Sequence, residues 1–338
     1  MSTSSIVLID AFSQIFRSFY AIRILTNSRG EPVNALLVFT RLLLGIENNY
    51  PGERGAMLFD CGKVQFRLDL LPEYKANRPP MPEELAKQIP FIREMAAAFG
   101  WQMLEAENYE ADDLIGVIAR NSSEKVRIIS SDKDLSQLVD ERVTLLAPRN
   151  GNSGGFEERD AQAVREKFGV APGGIVDYLA LLGDNSDNIS GIHGIGPKGA
   201  AELINTYGTS ENWIDDLSKL GKSKFFAKLD GNTDILRRNI SLVKLRTDIP
   251  DGWDIEKLTI RKAPDWQKIR ELCKHYGLKS ILKDIPEVPE TKEPENAPAL
   301  FGQDDLFAAL SSPCPACEAK TPEPPPEDEG VPVQGELF

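Results

Sequence analysis

Nine carboxylates, arriving singly and in clusters, carry most of the chemistry this 338-residue chain could perform. They are Asp10; Asp60; Glu110, Asp112 and Asp113; Asp132 and Asp134; and Asp184 with Asp187. An oxygen-rich set without His or Cys suits hard divalent cations such as Mg²⁺ or Mn²⁺ rather than zinc. The chain has only two histidines, His193 and His275, and no Ser-His-Asp set competes. Directly after the last acidic pair runs GIHGIGPKGA at 191–200. Gly194, Gly196 and Gly199 allow a tight hairpin, and Pro197 suits the first turn of a helix. The free N–H groups at such a helix start favour an anion, and Lys198 adds a point charge. A phosphate grip beside paired carboxylates makes sense when divalent ions stand between acid and phosphodiester. Read alone, the same stretch is also a pair of turn residues followed by a capped helix.

Positioning these acids falls to short apolar runs. Residues 5–9 are wholly apolar after Ser5 and end on Asp10, as a buried parallel strand would. Residues 56–59 repeat the pattern and end on Asp60; residues 101–104, 126–129 and 143–146 read as further strands. In an open α/β sheet, functional groups gather at the carboxyl ends of the strands. Either terminal Asp is equally suited to cap the helix that follows. Helices are expected over 32–48, over 83–99 as one amphipathic unit, from 109 onwards, over 159–168, 234–243 and 265–276. Glu110, Asp112 and Asp113 fall in the first turn of such a helix, where the dipole favours acids but three together still repel. Residues 63–82 differ: Lys63, Arg67, Lys75 and Arg78 alternate with Phe66 and Tyr74 before RPPMP. That mixture suits a surface segment tracking a nucleic-acid backbone, or simply a solvated loop.

The net charge of −13 looks wrong for a nucleic-acid partner until its distribution is read. Residues 284–338 hold thirteen Asp/Glu against two Lys, which leaves −2 for residues 1–283. Four cysteines, two of them a lone CPAC at 314–317, indicate free thiols in a reducing cytoplasm rather than a disulfide framework. No secretory leader is expected, and the longest apolar stretch, 35–46, is interrupted by Arg41, so no membrane span is expected.

Six motifs carry a resemblance in a fixed order: LID at 8–10, LFD at 58–60, YKANRPPMP at 74–82, YEADDLIG at 109–116, SSDKDL at 130–135 and GDNSDN…GIHGIGPKGA at 183–200. Together they resemble the 5′-nuclease family, which joins the 5′–3′ exonuclease domain of bacterial DNA polymerase I and the flap endonucleases. The resemblance covers roughly residues 5–280, and no polymerase domain accompanies it. It implies an α/β class: a central, mostly parallel sheet flanked by helices in a PIN-like nuclease core over 1–168, with a helical arch at 63–82. An all-α DNA-binding domain is implied over 169–283, with a helix–hairpin–helix at 190–206. It further implies that Asp10, Asp60, Glu110 and Asp112, with Asp113 beside them, hold one divalent ion. Asp132, Asp134, Asp184 and Asp187 would hold a second. Lys75 and Arg78 would contact the scissile phosphate, making them catalytic together with Asp10, Asp112 and Asp132. Arg17, Arg67 and Tyr74 would face DNA, and the hairpin of Gly194, Gly196, Lys198 and Gly199 would grip duplex with a K⁺ ion. The activity implied is 5′–3′ exonuclease or flap-endonuclease hydrolysis in replication and repair, on DNA with a 5′ single-stranded end or flap and on RNA primers. Ala11 and Phe16 depart from the Gly and Tyr of many relatives, but no carboxylate is missing.

From 284 onward the composition, with eleven of the 23 prolines, cannot bury enough apolar area to fold. Two islands interrupt it: Gln303-Asp304-Asp305-Leu306-Phe307 and Gln334-Gly335-Glu336-Leu337-Phe338. Both read QxxLF, resembling the pentapeptide with which bacterial replication proteins bind the β sliding clamp. The chain is therefore expected to act as a cytoplasmic, nucleoid-associated monomer that reaches the clamp through Gln303, Leu306, Phe307, Gln334, Leu337 and Phe338. A catalytically silent DNA-binding adaptor at the clamp is the alternative, and the complete acidic set argues against it.

Overall fold

The structure, a computed structural model, describes residues 5–149 and 155–287. Both QxxLF peptides and the CPAC therefore lie outside the described residues. Six strands, β1 (Ser5–Asp10), β2 (Arg54–Leu58), β3 (Gln102–Leu104), β4 (Lys125–Ile129), β5 (Val143–Pro148) and β6 (Phe156–Arg159), form one sheet in the order β3-β2-β1-β4-β5-β6. The first five run parallel and β6 closes the edge antiparallel to β5. The apolar runs expected as strands all take their places. Strand β6 was not expected: FEER carries no apolar alternation, and its backbone pairing with β5, not its pattern, makes it a strand.

β1 is buried along its whole length, as a central parallel strand covered on both faces must be. Alternate residues feed two cores. Ile6 and Leu8 join an apolar cluster on one face, Val7 and Ile9 a second cluster on the other.

The second face is covered by α1 (Ala11–Tyr20), α2 (Asn34–Asn49) and a later α5 (Ile89–Ala98). Between α2 and α5 come two short helices, α3 (Gln65–Leu70) and α4 (Glu83–Ala86). The expected single helix over 83–99 is thus broken at 87–88. Gln88 is drawn inward, where its Oε1 accepts from Ala35 N (2.9 Å) and Leu36 N (3.2 Å) at the start of α2. Pro90 then begins α5 in the first turn, where its missing N–H costs nothing.

The first face carries α6 (Ala111–Asn121) and α7 (Ala161–Phe168), then α8 (Ile175–Leu182). A two-stranded hairpin follows, β7 (Gly183–Asp184) with β8 (Ile189–Ser190), and then α9 (Pro197–Tyr207). Gly183 makes the exit from α8 possible: its φ is +74°, and a Cβ there would lie 2.3 Å from Gly191 N. Short α10 (Phe226–Leu229), longer α11 (Thr233–Val243) and short α12 (Ile255–Leu258) complete this layer.

The helical region expected over 169–283 does not stay in one layer. Helix α13 (Trp266–His275) crosses to the second face, where Ile269, Leu272, Cys273 and Tyr276 pack with α2 and α5. Its contact with α5, such as Tyr276 against Phe91, is one no local pattern reports. Among the described residues no helix is long and apolar enough to cross a membrane.

Candidate active site at the carboxyl edge of the sheet

The parallel strands deliver Asp10, Asp60, the start of α6 and the 130–134 turn to one edge. Asp10 serves both roles open to it. One oxygen caps α1 by accepting from Ser13 N (3.2 Å), and the other accepts from Ser130 Oγ (2.8 Å). Ser130 Oγ in turn accepts from Asp132 N (3.0 Å), so one hydroxyl joins the ends of β1 and β4. Asp60 Oδ1 accepts from Ala111 N (2.9 Å), which fixes the start of α6 to the end of β2. Asp132 Oδ1 accepts from Asp134 N (2.9 Å). Asp184 and Asp187 arrive from the β7–β8 hairpin, Asp184 turning the chain by accepting from Ser186 N (2.9 Å).

A cavity of about 260 Å³ opens here, lined by Asp112, Asp132, Asp134, Asp184 and Asp187 with Glu110, and also by Lys75, Arg78 and Lys133. The carboxylates fall into two groups. Glu110 meets Lys75 (2.7 Å); Asp187 meets Arg78, with the Tyr74 hydroxyl 3.1 Å away; Asp184 meets Lys133 (2.9 Å). Burial opposes the charge on Asp184, but its bonds from Ser186 and Lys133 hold the carboxyl below its usual value. Lys75 rises despite burial because Glu110 and Asp187 face it.

The other acids make no ion pair among the described residues. Burial pushes Asp10 up to about 7, against the Ser130 bond and with help from Asp60 and Asp132. Burial, then Asp132 and Asp184, push Asp134 up to about 8. Asp112 is raised well above its usual range by burial and by Asp10, Asp132, Asp60 and Asp134. Asp134 Oδ1 is buried with no hydrogen-bond partner. Packed carboxylates that make no ion pair, one of them with an unpartnered buried oxygen, fit hard divalent cations. Among the described residues no three His, Cys, Asp or Glu side chains are gathered tightly enough to hold an ion as they stand.

Several sequence expectations need correction. Asp113 does not join the acidic cavity: it is fully buried and both its oxygens accept from Arg67 (2.6 and 2.8 Å). Arg67, expected to face DNA, is 1% exposed for the same reason. Tyr74, also expected to face DNA, is buried, and its raised pKa follows from burial beside Glu110 and Asp187. Arg17 donates to Pro148 O (2.8 Å) and Arg149 O (3.1 Å) at the end of β5. In the 63–82 segment only Gln65–Leu70 is a regular helix; beyond it the chain turns through 72–77 and extends through the prolines. That segment is stitched to the second acidic pair: Lys75 N donates to Asp187 O (3.1 Å), Asn77 Nδ2 to Asn185 O (2.6 Å) and Asn188 Nδ2 to Glu73 O (2.9 Å). Lys75 holds φ at +57°, an uncommon backbone state for a residue with a side chain.

The hairpin lies between α8 and α9 as expected, with Lys198 exposed in the first turn of α9. Asn239, which the sequence did not single out, pins it from α11 by donating to Ala180 O (2.9 Å) and Ser190 O (2.8 Å). Ser130 and Lys133 were also missed as site residues, although both stand inside SSDKDL; a polar residue flanking paired acids was the available signal.

A parallel sheet with this acidic edge, facing a basic segment and a glycine hairpin, defines a nuclease of the phosphodiester-hydrolysing class. The chain belongs to the 5′–3′ exonuclease family: residues 5–169 match its N-terminal resolvase-like domain and residues 170–265 its C-terminal SAM fold. The 5′–3′ exonuclease of Aquifex aeolicus is 36% identical over 287 residues, covering 84% of this chain and 96% of that protein. The DNA polymerase I of Bacillus caldotenax is 35% identical over 291 residues, covering 85% of this chain. The chain spans only 33% of that polymerase's length. Among solved structures, a bacteriophage T5 flap endonuclease in a pseudo-enzyme–product complex with DNA and metal ions shares 25% identity at TM-score 0.60, covering 80% of this chain and 99% of its own. The catalytic core of Rad2 with DNA substrate, at 17% identity and TM-score 0.52, shares the fold.

Proposed function

We propose that this chain is a metal-dependent 5′ nuclease that hydrolyses phosphodiesters in DNA bearing a 5′ single-stranded end or flap, and in RNA primers, during replication and repair. The observation that carries this reading is the group of Asp112, Asp132 and Asp134, which forms no ion pair among the described residues and leaves Asp134 Oδ1 unpartnered, lining the same cavity as Lys75 and Arg78. Asp10, Asp60, Glu110 and Asp112 would hold one divalent ion, and Asp132, Asp134, Asp184 and Asp187 a second, Mg²⁺ or Mn²⁺. Such ions, when bound, lower the pKa of water for attack on phosphorus and neutralise the departing 3′ oxygen.

The protein's own groups do the rest. Lys75 and Arg78 are held on Glu110 and Asp187, two acids assigned to the ions. Once those acids are engaged elsewhere, both cations are released toward the phosphate, where they offset developing negative charge. Tyr74 stays buried as a hinge between Glu110 and Asp187. The 191–199 hairpin would hold the duplex by backbone N–H groups and Lys198, with K⁺ at the hairpin. The protein would work as a cytoplasmic, nucleoid-associated monomer and reach the β sliding clamp through the two QxxLF peptides.

The test is cleavage of a 5′-labelled flap duplex with Mg²⁺ or EDTA, for wild type and Asp132→Asn. Metal-dependent release of a defined flap, lost in Asp132→Asn while DNA binding persists, is the expected outcome. Near-normal turnover by the variant refutes the assignment of Asp132, and tight binding without cleavage by wild type marks an adaptor instead.

A further inference from the structure

We propose that the buried Arg67–Asp113 ion pair is a positioning device that sets Glu110 and Asp112 at the acidic edge and ties them to the 63–82 segment and the helical layer. Asp113 is 0% and Arg67 1% exposed. The guanidinium forks onto the carboxylate at 2.6 and 2.8 Å, and its Nε donates to Leu242 O (3.2 Å) at the end of α11. Asp113 Oδ1 also accepts from Arg246 N (3.0 Å), and its Oδ2 from Glu110 N (3.1 Å). One ion pair therefore joins α3, the first turn of α6, the end of α11 and the segment that follows it at Arg246.

Stability does not explain such a pair. Two charges removed from water recover little more than well-packed apolar side chains of the same volume would give. What the pair offers is direction. Arg67 fixes its three hydrogen bonds from one planar group, which Lys cannot do. Asp113 points into the protein, while its neighbour Asp112, about 100° further round the helix, faces the cavity. Holding the Glu110 N–H and standing 3.5 Å from the Glu110 carboxylate, the pair sets the angle at which both acids leave the helix. Groups behind metal-binding side chains commonly control their affinity in this way.

The inference rests on the metal-dependent reading above, so its test reads metal binding as well as turnover. The full chain is titrated with Mn²⁺ by calorimetry without DNA, and kcat, KM and melting temperature are measured, for wild type, Arg67→Lys and the double variant Arg67→Met/Asp113→Leu. Arg67→Lys keeps the charge and loses the fork; the double variant replaces the pair with apolar volume. We expect both to bind Mn²⁺ roughly tenfold or more weakly and to lose kcat by a similar factor, with KM for DNA unchanged. The double variant leaves the Glu110 and Arg246 N–H groups without their acceptor and is expected to melt lower, so binding and turnover are read well below its melting temperature; Arg67→Lys keeps that acceptor. Wild-type Mn²⁺ affinity and kcat in either variant would overturn the proposal. Wild-type protein that binds no Mn²⁺ would instead overturn the metal reading itself.

Discussion

At the scale of single residues, the same side chain type is used in three ways. Asp10 and Asp134 are crowded by other carboxylates and make no ion pair among the described residues, Asp184 and Asp187 are compensated by cations, and Asp113 is locked in a structural pair. Only the first group gains from an added divalent ion; the second exchanges one cation for another. A different buried group offers a pH test away from this site. Burial pushes the Cys273 thiol up to about 11 from an ordinary value of 9.0. The unfolded chain therefore releases this proton first. The contribution is fully present below pH 9 and is lost as pH rises through 11, on the order of 2 kcal/mol in all. Denaturation of wild type and Cys273→Ala between these limits should show wild type falling more steeply; parallel curves would reject the assignment.

At the scale of elements, helix starts and tight hairpins aim the acids. Asp10 caps α1 and Glu110 with Asp113 forms a reciprocal cap on α6, so both acids are placed by local backbone demand. The β7–β8 hairpin depends on close backbone approach instead. A Cβ at Gly191 would stand 2.2 Å from Leu182 O and 2.7 Å from Leu181 O, where Ile192 N now bonds at 2.8 Å. Gly191→Ala must move the hairpin off α8 and with it Asp184 and Asp187. We expect a loss of about 1–3 kcal/mol in chemical denaturation and a reduced cleavage rate. Unchanged stability would mean the hairpin shifts freely.

At the scale of the whole molecule, the sheet's two faces are closed by segments far apart in the chain. The family match ends at 265, yet Ile269, Leu272, Cys273, Tyr276, Leu278 and Ile281 beyond it are buried in the second core. Each such side chain contributes about 1.5–3 kcal/mol on burial, and together they approach the whole net stability of a domain. A chain ending at 265 is expected not to fold, while one ending at 287 should melt with the full chain; circular dichroism separates them. Deleting 300–338 should abolish clamp binding and leave nuclease activity intact, and a pull-down that still retains the clamp refutes the tail assignment.

Strand positions, the acidic edge and the glycine hairpin were legible from the amino acids because each is a local demand: a buried run ends, an acid caps, a glycine turns. The order of the motifs added the family. Which acid serves which purpose was not legible. Asp112 and Asp113 are adjacent and chemically identical, and only the helix angle, with Arg67 arriving from 46 residues away, separates a cavity wall from a buried pair. The same holds for Lys75, whose partners depend on how the 63–82 segment lies across the hairpin, and for α13, which packs on α5 far from it in the chain. Long-range packing decides these points, since an electrostatic partner or an apolar face has no counterpart in the spacing of its own segment.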